Sequence, residues 1–75
     1  MKIIIETGEW AGRYIGDKTD VLHLDEGSSA ADAIAALGIP PEEAGMVAVG
    51  GKAVSKGYVL SEGDVLKIYP VIIGG

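Results

Sequence analysis

The sequence contains no cysteine, no phenylalanine and a single tryptophan among its 75 residues. The lack of cysteine excludes disulfides, thiolate metal sites and thiol chemistry on this chain. Because aromatic residues are so few, a hydrophobic core has to be built from Ile, Val, Leu and Ala. The apolar content of 48% is enough for such a core, and the length predicts one domain, residues 1–75.

Long hydrophobic runs and positive charge are scarce as well. No apolar run approaches the ~20 residues that span a bilayer, and Met1–Ile5 is too short for a signal peptide. We therefore expect a cytoplasmic protein. The net charge of −5 disfavours nucleic acid and anionic membranes as partners, and it favours a partner with a basic face.

Two predicted strands precede the clearest helix. The strands are Lys2–Glu6 and Asp20–Asp25, and the helix is Ser28–Leu37. Ser29 is well placed as the N-cap, with an acidic residue at the third helical position. Gly38 ends the helix as a left-handed cap.

The second half of the chain predicts three more strands. Gly50-Gly51 forms a hairpin turn between Met46–Val49 and Lys52–Val54. Glu62–Asp64 then turns the chain into a final strand that begins at Val65. A right-handed crossover through the helix places this strand beside the first one, in the middle of the sheet. This arrangement is the α+β β-grasp, or ubiquitin-like, fold, a mixed sheet of four to five strands with one main helix across one face.

The first connection has more than one interpretation. The connection Thr7–Thr19 has no hydrophobic period, and we expect a short helical turn near Trp10–Tyr14. Trp10 and Tyr14 are either a hydrophobic plug at one end of the core or an exposed contact, and both interpretations stay open.

No metal site is predicted. His23 alternates within a strand and has no second cluster of ligand-type residues nearby. The carboxylates in the same region lack calcium-loop spacing and are typical of a solvated edge; they are Asp17, Asp20, Asp25 and Glu26.

The end of the sequence is its most unusual part. Pro70 has no N–H to donate, so we expect regular strand pairing to end there. The residues that follow are Val71, Ile72, Ile73, Gly74 and Gly75. Fully extended, residues 70–75 reach roughly 20 Å beyond the fold, and we expect them to form a flexible C-terminal arm. Because glycine lacks a Cβ, a Gly-Gly end can enter a channel too narrow for other residues and deliver a terminal carboxylate there.

The last strand has two different faces. Leu66 and Ile68 are predicted to face the core, whereas Lys67 faces away from the helix, as do the apolar residues Val65 and Tyr69. Together with Ile4 they predict an apolar surface at the root of the arm, rimmed by carboxylates, that meets a partner.

Four segments in a fixed order carry a resemblance to a known family. They are Glu26–Asp32 with Ala36-Leu37, Val47–Gly51, Leu60–Val65 and Tyr69–Gly75. In this order and spacing the chain resembles the small subunit of molybdopterin synthase and its relative, the thiamine-biosynthesis sulfur carrier. The long first connection and the spacing between Gly51 and Asp64 resemble the molybdopterin branch. Val71 replaces the second proline usual there, and a Val-Ile pair before the glycines also occurs in the thiamine branch.

The resemblance implies a carrier protein and not an enzyme. A ubiquitin-activating-type adenylating enzyme, using ATP, activates the carboxylate of Gly75, and a sulfur donor then displaces AMP to leave a thiocarboxylate. The armed tail enters the large subunit of molybdopterin synthase, or thiazole synthase in the thiamine alternative. The implied binding residues are Tyr69, Pro70, Val71, Ile72, Ile73 and Gly74. No cofactor or metal is expected on this chain.

Two other classes of function remain open at this point. A β-grasp domain also serves as a plain binding module, because fold alone does not give function. A ubiquitin-like modifier, whose tail is ligated to lysines of target proteins, shares the same tail chemistry.

Overall fold

The computed structural model of the protein describes residues 1–15 and 20–72. In chain order the elements are β1 (Lys2–Glu6), a 3-10 turn (Glu9–Ala11), α1 (Gly12–Ile15), β2 (Val21–His23), α2 (Ala30–Ala36), a second 3-10 turn (Pro41–Glu43), β3 (Ala44–Val49), β4 (Lys52–Val54) and β5 (Val65–Pro70). The short helical turn expected in the first connection is confirmed. None of the helices in these two ranges is long and apolar enough to cross a bilayer.

The strands form one mixed sheet in the order β2-β1-β5-β3-β4. β1 and β5 run parallel, with Ile4 opposite Val65, and the other neighbours are antiparallel. The last strand therefore lies beside the first one and in the centre of the sheet, as the crossover rule predicts. The predicted β-grasp architecture is confirmed.

Local signals set the ends of α2. The Ser29 side chain accepts a hydrogen bond from the Asp32 N–H (3.2 Å), and the Asp32 carboxylate accepts one from the Ser29 N–H (2.9 Å). This reciprocal capping box satisfies two backbone donors at the start of the helix. Gly38 follows with a φ of +79°, the left-handed conformation in which helices commonly end.

Strand β2 is shorter than predicted, but its pairing extends further than its bounds. The Ile5 N–H donates to the Asp20 carbonyl and the Leu24 N–H to the Met1 carbonyl, both at 2.9 Å. Just beyond, the Ser28 hydroxyl donates to the Asp25 carbonyl (2.7 Å). This bond lies where the chain turns toward α2.

The core lies between α2 and one face of the sheet. Its largest fully buried side chains are Ile3, Ile39, Val47, Leu66 and Ile68. Ala30, Ala33 and Ile34 supply the buried face of α2, following the 3.6-residue period of the helix. Trp10 and Tyr14 are partly buried against this core, which favours the plug over the exposed contact.

Two turns fix the strands on either side of the core. Gly50 and Gly51 have φ values of +59° and +84°, which only glycine adopts readily and which suit the twist of a two-residue hairpin. The Glu62–Asp64 turn is tied to β1: the Gly63 N–H donates to the Lys2 carbonyl (2.8 Å), and the Glu62 carboxylate accepts from the Lys2 N–H (3.0 Å).

The expectation that pairing ends at Pro70 is wrong. β5 includes Pro70, which lies opposite Ala44 of β3. One residue further on, the Val71 N–H donates to the Glu43 carbonyl (3.2 Å). Proline lacks only its own donor, and its φ is compatible with an extended chain, so pairing resumes at the next N–H.

Candidate functional site: the end of β5 and the arm

β5 holds its end in place through its inner face. Leu66 and Ile68 are 0% and 2% exposed, which confirms the predicted inner face. Both flanks of the strand are paired, with β1 on one side and β3 on the other. The arm therefore continues from the central strand of the sheet.

The opposite face of β5 carries an apolar surface, here called the outer patch (Ile4, Met46, Val65 and Tyr69). Ile4 is the cross-strand neighbour of Val65, and Tyr69 lies opposite the stretch of β3 that contains Met46. Met46 is 54% exposed, and the other three are half-buried. The predicted orientation of Ile4, Val65 and Tyr69, away from the helix, is confirmed.

A cation lies within this face. The Lys67 ammonium is 5.3 Å from the centre of the Tyr69 ring, a cation–π distance. Lys67 is also the cross-strand neighbour of Glu6. Lys67 therefore adds a positive charge beside the expected rim of carboxylates. The strand alternation that predicts the outward orientation of Tyr69 predicts it for Lys67 as well.

The arm starts on the surface. Val71 and Ile72 are 44% and 85% exposed, while Tyr69 and Pro70 are half-buried at the end of β5. Ile73, Gly74 and Gly75 lie outside the described residues, so the predicted flexibility of residues 70–75 and the role of Gly75 stay predictions. From Tyr69 to Ile72 the chain therefore passes from the central strand of the sheet to the surface.

Two residues at the root of the arm were not predicted from the sequence. A Cβ on Gly45 would lie 2.6 Å from the Pro70 carbonyl oxygen, and the Lys56 ammonium donates to the Ala44 carbonyl (2.6 Å). A glycine inside a strand is a signal for a bulge or a close backbone approach, but the predicted strand began at Met46, one residue after Gly45. Nothing in the sequence links Lys56 to Ala44.

Within the described ranges, the remaining titratable groups show no cluster with chemistry of its own. Among residues 1–15 and 20–72, no group of three or more His, Asp or Glu side chains could hold a metal ion. His23 is exposed on the edge strand β2, and Asp17 lies outside the described residues. The part of the chain that is described has no buried polar or charged side chain. Its distinguishing feature is an extended segment presented beside an apolar surface.

A family model decides where the chain belongs. The model of the Mut7-C ubiquitin family matches residues 16–73. The chain belongs to this ubiquitin-like family. The match ends before Gly74, so it carries no information on the two glycines. No curated protein matches the chain in sequence.

Solved structures show the same fold. SAMP1 from Haloferax volcanii is 20% identical over 100% of both chains, with a TM-score of 0.73. A Pyrococcus furiosus protein described as molybdopterin converting factor, subunit 1, is 21% identical over 96% of this chain and 99% of its own, with a TM-score of 0.75. These likenesses confirm the ubiquitin-like fold along nearly the whole chain.

Proposed function

We propose that the protein is a sulfur carrier. In this proposal Gly75 is adenylated by an ATP-using partner and converted to a thiocarboxylate, which donates sulfur in molybdopterin biosynthesis. The observation that carries the proposal is the position of the arm. β5 is paired on both sides and continues directly into the exposed residues Val71 and Ile72. A fixed root with an extended end suits delivery of a terminal group into a pocket of another protein.

The chemistry needs few groups from this chain. A carboxylate is a poor electrophile, so its oxygen first attacks the α-phosphorus of ATP, which releases pyrophosphate and leaves an acyl-adenylate. A sulfur nucleophile equivalent to hydrosulfide then attacks the carbonyl carbon of Gly75. The bond from that carbon to the AMP oxygen breaks, AMP leaves, and a thiocarboxylate remains. The nucleotide site and the activation belong to the adenylating enzyme, so this chain acts as a cosubstrate and not as an enzyme.

The outer patch supports binding to the partner. Its side chains lie on the strand that leads into the arm and on the two strands beside it. An aromatic side chain at such a place tends to contribute more binding energy than its neighbours. We therefore assign Tyr69 to the contact with a molybdopterin-synthase-type large subunit, whose pocket takes up Val71 to Gly75. Because the first step uses ATP, the proposal puts the protein in the cytoplasm.

A second candidate function is protein modification. It is favoured by the likeness to a structure titled H. volcanii small archaeal modifier protein 1, which is 19% identical over 95% of this chain and 98% of its own. In this alternative the acyl-adenylate is formed in the same way. A lysine amine of a target protein, instead of sulfur, then attacks the carbonyl carbon of Gly75; the bond from that carbon to the AMP oxygen breaks, AMP and a proton leave, and an isopeptide bond remains.

Intact-mass analysis of the protein produced with its native partners tests the proposal. A sulfur carrier shows a mass increase equal to the replacement of one carboxylate oxygen by sulfur, on a chain that ends at Gly75. A modifier appears instead in larger conjugates. A chain that ends at Gly75 and shows neither product under sulfur-replete conditions contradicts both candidates and leaves a plain binding module.

A further inference from the structure

We propose that Gly45 and Lys56 form a clamp that fixes the direction in which the chain leaves the sheet. Both are then positioning residues for the arm. The purpose of that positioning rests on the proposed function, whereas the clamp itself is a property of the free protein. The clamp also includes the backbone carbonyls of Glu43 and Ala44.

The first part of the argument is a β-bulge opposite the end of β5. Val47 lies opposite Ile68 and Ala44 opposite Pro70. Between these pairs β3 advances one residue more than β5 does, so Gly45 and Met46 both face Tyr69. A bulge bends its strand and changes the direction of nearby side chains. Here it lies where the last paired residues of β5 give way to the arm.

Gly45 brings the two backbones unusually close. A Cβ at this position would lie 2.6 Å from the Pro70 carbonyl oxygen, 2.9 Å from the Pro70 carbonyl carbon and 3.2 Å from the Tyr69 carbonyl oxygen. All three are backbone atoms, so no side chain can rotate away to make room. Any larger residue at position 45 therefore has to displace the end of β5.

Lys56 holds the other side of the bulge. Its ammonium donates to the Ala44 carbonyl at 2.6 Å, and a hydrogen bond from a charged donor is stronger than one between neutral groups. The backbone of Lys56 is anchored as well, because its carbonyl accepts from the Ala31 N–H (2.8 Å) in the first turn of α2. Lys56 thus connects the first turn of α2 to the start of β3.

Three consecutive residues of the chain therefore act on the root of the arm. The Glu43 carbonyl accepts from the Val71 N–H (3.2 Å), the Ala44 carbonyl is held by Lys56, and Gly45 contacts Pro70. This arrangement fixes the path of the backbone through Val71, so the flexibility expected of residues 70–75 begins, in this proposal, only at Ile72, which is 85% exposed. A segment whose root already points in one direction loses less conformational entropy when a partner pocket takes it up.

Residual dipolar couplings on the free protein test the clamp. We expect the N–H coupling of Val71 to fit the alignment tensor of the sheet in the parent protein. In Lys56→Met and Gly45→Ala it should lose that fit, and Lys56→Arg should restore it. Lys52→Met, on the exposed edge strand, and Gly12→Ala, where a Cβ has nothing within 4 Å, are matched controls that should keep it. An unchanged fit in Lys56→Met overturns the clamp, even where Gly45→Ala does not fold.

A second readout separates the clamp from the proposed function. For protein produced with its native partners, we expect a smaller fraction of thiocarboxylate by intact mass in Lys56→Met than in the parent, restored in Lys56→Arg. Equal fractions in all three overturn the positioning role. A parent that carries no thiocarboxylate contradicts the proposed function, and the dipolar couplings then decide the clamp by themselves.

Discussion

The two faces of β5, whose residues alternate along the strand, differ in role: one packs into the core and the other forms a surface for a partner. The inner face, Leu66 and Ile68, is buried under α2, whereas the outer face carries Val65, Lys67 and Tyr69 at or near the surface. Stability is therefore concentrated on one side of the strand. The other side is available to a partner. A substitution on the inner face should therefore lower mainly the stability, and one on the outer face mainly the affinity for the partner.

The largest expected effect is on stability, from Ile68→Ala. This side chain is almost fully buried, so its truncation removes apolar contacts and leaves a cavity. We expect a loss of ~2–5 kcal/mol in the free energy of unfolding, measured by urea denaturation. A loss no larger than that of Tyr69→Ala would mean that the roles of the two faces are reversed.

Tyr69→Ala should weaken partner binding and leave most of the stability in place. We expect binding to a molybdopterin-synthase-type large subunit to weaken by roughly 1–3 kcal/mol, measured by titration calorimetry. Thermal melts of the same sample provide the control for folding. Unchanged affinity would remove Tyr69 from the interface.

Ser29→Ala tests whether a loss of stability at α2 leaves partner binding through the outer patch unchanged. It removes the hydroxyl that accepts from the Asp32 N–H, and the loss of such an N-cap costs about 1 kcal/mol. We expect this decrease in urea denaturation, with affinity for the large subunit unchanged. A clear loss of affinity would show that the two faces are coupled through the helix.

The smallest expected effect belongs to Lys67→Met. The ammonium lies over the Tyr69 ring, but Lys67 is exposed, and such a contact is worth about 0.5–1 kcal/mol. We expect stability to change by no more than that, together with a shift of the Tyr69 ring proton resonances in NMR. Ring resonances identical to those of the parent would show that the contact is not populated in solution.

The sequence predicted those features that depend on neighbours along the chain. The N-cap at Ser29, the left-handed Gly38, the Gly50-Gly51 hairpin and the alternation along β5 each depend on a few adjacent residues. The central place of β5 followed from the handedness of crossovers. At the candidate site, Tyr69 and its outward orientation came from the same alternation.

The features that the sequence did not predict depend on residues far apart in the chain. The approach of Gly45 to Pro70 and the bond from Lys56 to Ala44 exist only once β3, β5 and the loop before β5 have come together. Pairing beyond Pro70 was missed for the same reason, because the acceptor for the Val71 N–H is the carbonyl of Glu43. The resemblance, and not the fold, supplied the chemistry proposed for Gly75.

Removal of Gly75 tests the central claim most directly. The measurement is ATP–pyrophosphate exchange by the native adenylating partner, with the chain ending at Gly75 or at Gly74, and with thermal melts of both. We predict exchange with the first chain, none with the second, and equal melting temperatures, because we expect the arm to contribute nothing to the core. Normal exchange with the chain that ends at Gly74 would contradict the carrier function.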